Sequence, residues 1–408
     1  MKQIRIPAVF MRGGTSNAVV FHARDLPADR ALWDEIFLAA IGSPDPYGRQ
    51  LDGMGGGVSS VSKVCIVGPS SRPDADIDYT FAQVQVKEAK VDYSGNCGNM
   101  SSAMGPFAVD EGLVKVAGSE ALVRVHNTNT KKVIHALFPM DDGLAAVDGD
   151  LAIPGVSGTG APVRLEFRDP GGATTGKLLP TGNVADTLDV PGVGRLQVSM
   201  VDAANACVFV RAADVGLTGT ELPDALEANA EVMKKLAAIR LAASVAMGIA
   251  PNEEEAAKKR VVPFVGFVSP PQDAKTLSAE VIRGADVDLT GRMISNAQPH
   301  RALPLTASLC MAVAARLDGS VVHEAARATD DPDREIRIAM PSGVLVVAAT
   351  VRRQGGAWHA EQGAFYRTQR RLFEGCVLVR ASRVPGLVAA LRDKHRMAGS
   401  RIETTLPG

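Results

Sequence analysis

The segment Ser94-Gly95-Asn96-Cys97-Gly98-Asn99 carries the most specific chemistry in the chain. Its two glycines let the backbone turn sharply and approach a ligand closely. A helix starting just after them would set its N–H groups and positive end beside the sulfur and any bound carboxylate. That setting lowers a thiol pKa and builds an oxyanion site. The competing reading is a tight turn around a buried small residue, although Gly-Asn on both sides is a poor way to build a core. The second feature is Gly53-Met54-Gly55-Gly56-Gly57, followed by Ser59-Ser60-Val61-Ser62-Lys63-Val64. The glycine run lets backbone approach an anion but lacks the spacing of a phosphate loop. Lys63 stands where the apolar run Val64-Cys65-Ile66-Val67 begins. It is either a strand-edge residue reaching to water or a partly desolvated amine able to act as a base.

Met11-Arg12-Gly13-Gly14-Thr15-Ser16-Asn17 offers a third group of donors. Thr15, Ser16 and Asn17 after two glycines suit a carboxylate cradle, against the plainer reading of a hairpin turn. Ser62, Asn96, Gly98 and Asn99 count with them. His126-Asn127-Thr128-Asn129-Thr130 stacks polar donors between two strands. In the second half, Gln298-Pro299-His300-Arg301 precedes Thr306-Ala307-Ser308. His300 or Arg301 could bind a substrate carboxylate, with Thr306 and Ser308 beside them; each alone reads equally as a surface or structural residue.

The elements that must position these residues are mostly short β-branched strands with Gly/Pro/Asp turns. Helices are expected over Ala28–Ala40, Asn99–Leu113, Leu222–Met247 and Pro304–Leu317, with Pro106 a start, kink or break in the second. Strands are expected within Val58–Val67, Tyr79–Val86, Ala121–Phe138 and Leu196–Ala212. Asn252–Arg260 reads as a solvated turn, and Gly171–Asn183 as the interdomain connection. A loose internal echo joins the halves: a small-residue turn feeds a helix at Gly95–Met104 and again at Pro304–Ala314.

At 408 residues two domains are the default. The 44 Lys+Arg against 45 Asp+Glu give no electrostatic reason to expect nucleic acid or a membrane surface as partner. No apolar run reaches the roughly 18–20 residues of a spanning helix, and Met1–Pro7 lacks the apolar stretch of a signal peptide. Five scattered cysteines form neither a CxxC pair nor a metal-spaced cluster, so a reduced, cytoplasmic setting is expected, without metal.

Taken together, Met11–Asn17, Gly42–Asp45, Gln50–Lys63, Asp74–Val84 and Val91–Leu113 resemble the PrpF-like isomerases, the methylaconitate, methylitaconate and oxalomesaconate isomerases. The resemblance runs from Ile4 to about Val351 and includes Thr175–Asn183 and Val201–Asn205. Pro69–Val84 and His126–Thr130 look most like methylitaconate Δ-isomerase. The resemblance implies an α/β (α+β), diaminopimelate-epimerase-like fold of two similar domains, 1–184 and 185–408. Each would have a mixed sheet wrapped around a central helix, with the active site between them. It further implies catalysis without cofactor or metal, by Lys63 and Cys97, on a small unsaturated polycarboxylate, in a homodimer or homotetramer. Asn17 stands where many relatives have lysine. Leu305-Thr306-Ala307-Ser308 and Met340-Pro341-Ser342-Gly343 also depart from the family pattern, which leaves the substrate's identity open.

The reaction so implied is an allylic proton shift, giving double-bond migration or cis–trans isomerisation. It needs a base, an acid and donors aimed at a dienolate; Lys63 and Cys97 fit either assignment. A same-fold alternative is an amino-acid racemase or epimerase, which needs a second thiol; Cys310 is the candidate. A non-catalytic carboxylate-binding protein is the third reading.

Overall fold

The computed structural model describes residues 2–259, 262–295 and 297–400. The chain divides into two compact units, Met1–Asp150 with Thr368–Gly408, and Leu151–Arg367. This differs from a division at residue 184. Gly171–Asn183 lies inside the second unit, because the buried Asp202 carboxylate accepts from Thr174 N (2.8 Å), Thr175 N (2.6 Å) and Thr175 Oγ1 (2.9 Å). The C-terminal strand Gln369–Arg380 returns to pair antiparallel with Gln3–Gly13, so the first unit is made from both ends of the sequence.

The first unit begins with the hairpin Gln3–Gly13 and Ser16–His22. Lys63–Pro69 lies parallel to Ser16–His22, and Ile77–Val84 returns antiparallel to it. Glu120–Asn127 lies parallel to Ile77–Val84 and forms a hairpin with Lys132–Asp141. Parallel neighbours require crossovers, and helices supply them. Trp33–Ile41 makes the first crossover and Gly98–Asp110 the second.

The second unit repeats this order. Gly194–Asp202 and Ala206–Arg211 form the hairpin. Phe264–Ser269 lies parallel to Ala206–Arg211, with Leu289–Ser295 antiparallel to it. Ile336–Met340 is then parallel to Leu289–Ser295 and paired with Gly343–Gln354. Its crossovers contain the helices Ala230–Ala246 and Leu305–Ala314. The echo in the sequence is therefore a repeat of topology, and the α/β class with a mixed sheet in each half is observed.

In each unit one helix is outer and one inner. Trp33, Ile36, Phe37, Ala40 and Ile41 recur at helical spacing and pack on Val19, Phe21, Val64, Ile66, Ala82 and Val84. The inner helix Gly98–Asp110 is buried on every side, with Met100, Ala103, Met104, Phe107 and Ala108 wholly inaccessible. Burying Phe107 alone is worth about 2–3 kcal/mol. Small residues let the sheet close on this helix: a Cβ added at Gly105 would stand 2.9 Å from Ala136 Cβ. The second unit's inner helix is as deeply buried, through Leu305, Leu309, Met311 and Val313.

The sequence misplaced some boundaries. Leu222–Met247 is two helices, Pro223–Ala228 and Ala230–Ala246, because Asn229 leaves helical geometry and caps the second through Val232 N. Asn252 caps a short helix, Glu253–Lys258, where a turn was expected; Arg260 lies outside the described residues. No described helix is long and apolar enough to cross a membrane.

Candidate active site

Lys63 opens its strand and is 8 % exposed. It pairs in register with Ala18 on one side and Gln83 on the other. Antiparallel partners share a face and residues alternate along a strand. Lys63, Cys65, Tyr79, Phe81 and Gln83 therefore form one patch. Lys63 Nζ donates to Gln83 Oε1 and stands 5.1 Å from the centroid of the Phe81 ring. The Gln83 amide is itself fixed, because Nε2 donates to Ser59 O (3.1 Å), Ser62 O (3.0 Å) and Val84 O (3.4 Å).

Cys97 is the N-cap of the inner helix, extended at φ −102° and ψ 98°, and half-buried. Its carbonyl accepts from Ser101 N at 2.9 Å and Ser101 Oγ at 3.1 Å, while its side chain makes no capping bond. Backbone thus closes the first turn and leaves the sulfur to other work. Asn96 Oδ1 accepts from Ser101 Oγ (3.2 Å) and Asn127 Nδ2 (3.1 Å). Asn129 donates to Phe81 O (2.8 Å) and Tyr93 O (2.6 Å). Within the polar run His126–Thr130, Asn127 and Asn129 thereby hold the cysteine loop, while His126 Nδ1 pairs with Asp78 at 2.8 Å and Thr128 with Thr80 at 2.6 Å. On the other side the glycine hairpin leans on the helix, with Thr15 N donating to Asn99 Oδ1 at 3.4 Å. Ser16 is buried and Asn17 half-buried.

Cys65 shares the strand face of Lys63, and its thiol is fully buried. Burial pushes the Cys65 thiol up, the Cys97 sulfur adds to that, and Tyr79 and Lys63 oppose it. Burial likewise raises the Tyr79 hydroxyl, which lies 3.8 Å from Cys65 Sγ and also feels Cys97. Cys65 and Tyr79 thus form a buried thiol–phenol pair on the strand face that Lys63 opens. Sequence alone reads Cys65 as part of an apolar run and Tyr79 and Gln83 as strand residues, since only strand register brings them to this face.

Ser62 belongs to the supporting frame. Its wholly buried hydroxyl donates to Gln50 Oε1 and Val58 O, each at 2.7 Å. The remaining expected residues lie in the second unit. His300 pairs with Ser295 Oγ at 2.7 Å and stacks on Phe264, and burial pushes it down to about 4. Arg301 is exposed and donates to Asp224 at 2.8 Å. Thr306 Oγ1 accepts from Asn205 at 3.4 Å, and the buried Ser308 hydroxyl donates to Pro304 O at 2.9 Å. In the repeated topology, the N-cap that Cys97 occupies in one unit is Pro304 in the other. Cys310 lies inside the helix, wholly buried, its thiol donating to Val201 O at 3.3 Å. Nothing in this placement suits Cys310 to be an epimerase's second thiol. Among the described residues, no group of three or more His, Cys, Asp or Glu could hold a metal ion.

A family model described as PrpF protein matches residues 3–380. The chain belongs to the PrpF family. It is 45% identical over 384 residues to the 3-methylitaconate isomerase of Eubacterium barkeri, covering 94% of this chain and 99% of that protein. The 2-methyl-aconitate isomerase of Cupriavidus necator is 39% identical, with 94% and 98% covered. A crystal structure of methylitaconate-delta-isomerase superposes with a TM-score of 0.84 at 44% identity, over 94% of this chain and 98% of that one. This member of the PrpF family is an isomerase with the fold of that structure.

Proposed function

We propose that this isomerase moves a proton along the allylic system of a small unsaturated di- or tricarboxylate, with Lys63 and Cys97 as its acid–base pair. The observation that carries the reading is Cys97 at the N-cap of the buried helix, its side chain free of capping bonds, in the same unit as the buried Lys63 amine that Gln83 holds. A carbon allylic to a double bond and conjugated to a carboxylate is acidic. Removing its proton spreads charge onto carboxylate oxygens, and the positive end of a helix stabilises such charge. Returning the proton to another carbon of the system moves the double bond. Returning it after bond rotation exchanges cis for trans. Base, acid and donors all come from the chain, so the reading requires no cofactor. Identity to the 3-methylitaconate isomerase supports a methylitaconate-like diacid as substrate. The five free cysteines support a reducing, cytoplasmic setting.

The test uses Lys63→Ala and Cys97→Ser with methylitaconate, methylaconitate, aconitate and oxalomesaconate in deuterated water. Wild type is expected to exchange and isomerise at least one of these acids by NMR, and each variant to lose at least about 10³-fold in rate. Near-normal exchange and turnover in both variants would overturn the assignment.

A further inference from the structure

We propose that Gln83 is a positioning residue of this reaction: its side-chain amide holds the Lys63 amine in the place and protonation state that proton transfer needs. The inference rests on the reading of Lys63 as a proton-transfer group. A lysine side chain has about 2 kcal/mol of rotamer entropy, so a reactive amine needs a fixed partner. Gln83 is such a partner, because its NH₂ end is committed to the carbonyls of Ser59, Ser62 and Val84. Only Oε1 remains to face Nζ, which donates to it. Ser62 is the residue just before Lys63, and Gln50 and Val58 hold its own hydroxyl. The clamp is therefore built into the frame that carries the lysine backbone.

The chemistry of the clamp matters as much as its geometry. Phe81 lies beneath the amine and Cys65 follows on the same strand face. Tyr79 lies further along the neighbouring strand, and Cys97 comes from the inner helix. Asp92 stands opposite Gln83 in the strand ladder, its carboxylate accepting from Ser94 N at 2.7 Å. A glutamate at position 83 would lock the amine as ammonium, since an opposite charge at hydrogen-bond distance favours the charged form. Glutamine gives the same acceptor geometry without a fixed counter-charge, leaving the amine free to gain and lose a proton within a catalytic cycle.

The experiment compares Gln83→Glu and Gln83→Met with wild type and Lys63→Ala. The Lys63 amine is titrated by NMR of labelled lysine, its signal assigned by its loss in Lys63→Ala. Gln83→Glu is expected to raise the titration by at least about one pH unit. The limb of the pH–rate profile that belongs to Lys63 should move upward with it. Gln83→Met, which keeps length but has no acceptor, is expected to lower kcat with methylitaconate about 10- to 100-fold, with KM changed less than about threefold. A Lys63 titration within about 0.3 units of wild type in Gln83→Glu, in a variant whose thermal unfolding is normal, overturns the proposal. Full activity in Lys63→Ala would instead overturn the function assigned to Lys63, whatever Gln83 does.

Discussion

Gly13 lies so close under the inner helix that a Cβ built on it would stand 2.6 Å from the carbonyl oxygen of Asn99 and 2.9 Å from Met100 Cα. Both contacts are backbone, so neither can swing aside. Gly13→Ala must push the first helical turn, and Cys97 with it, away from the hairpin. The expected result is a loss of about 1–3 kcal/mol in stability and of about 10- to 100-fold in kcat/KM. Thermal unfolding and steady-state kinetics measure the two. A fully active Gly13→Ala would mean that the approach of hairpin to helix does not set the cysteine's position.

Gln50 ties down the loop ahead of Lys63. It is 1 % exposed with φ 55°, its Oε1 accepts from Gly57 N (2.8 Å) and Ser62 Oγ (2.7 Å), and its Nε2 donates to Ser43 Oγ (2.8 Å). Gln50→Leu would leave the buried Ser43 hydroxyl and the half-buried Gly57 N without this partner, at about 1–3 kcal/mol for each that finds no water, while Ser62 keeps Val58 O. We expect faster proteolysis between Ser43 and Ser62 than in wild type, read by mass spectrometry of limited digests. An unchanged digestion rate would show that the glycine run holds itself.

Cys310 and Cys97 should part ways on mutation. Cys310→Ala removes a sulfur from a packed core and is expected to cost about 1–2 kcal/mol while leaving kcat within a factor of about three. Cys97→Ser is expected to do the reverse, with normal unfolding and almost no turnover. Activity lost in Cys310→Ala at normal stability would revive a two-thiol epimerase.

His300 predicts an acid-sensitive stability. Burial holds its imidazole at about 4 in the folded state, whereas an unfolded chain binds that proton near 6.5. Below pH 6.5 the unfolded state therefore binds more protons, so stability falls as pH drops toward 4 and is unaffected above 6.5. The contribution is on the order of 2–3 kcal/mol across that window. Subtracting the pH dependence of His300→Asn unfolding from that of wild type isolates it. A flat difference would mean that His300 protonates freely in the folded protein.

Much of the frame was legible because it rests on local pattern. The outer helix shows in the spacing of Ile36, Phe37 and Ala40, and the cysteine turn in its paired glycines. The inner helix was expected from Asn99 and runs Gly98–Asp110, passing through Pro106 without breaking. The sequence could not show what strand register decides. Gln83 reads as an ordinary polar residue until it is set opposite Lys63, twenty positions away. The domain boundary was hidden for the same reason: a Gly/Thr-rich stretch looks like a linker until Asp202 is found accepting its amides.

The pairing of Gln369–Arg380 with Gln3–Gly13 imposes an order of assembly. Domains fold as units while the chain is being made, and the second unit is one continuous stretch, complete once Arg367 has left the ribosome. The unit that carries Lys63 and Cys97 must wait, its first strand keeping an open edge until the final strand is synthesised. A chain released before Gln369 would thus hold a complete second unit attached to a first unit without its closing strand. The strand that closes the edge of Gln3–Gly13 is made only after the whole of the second unit.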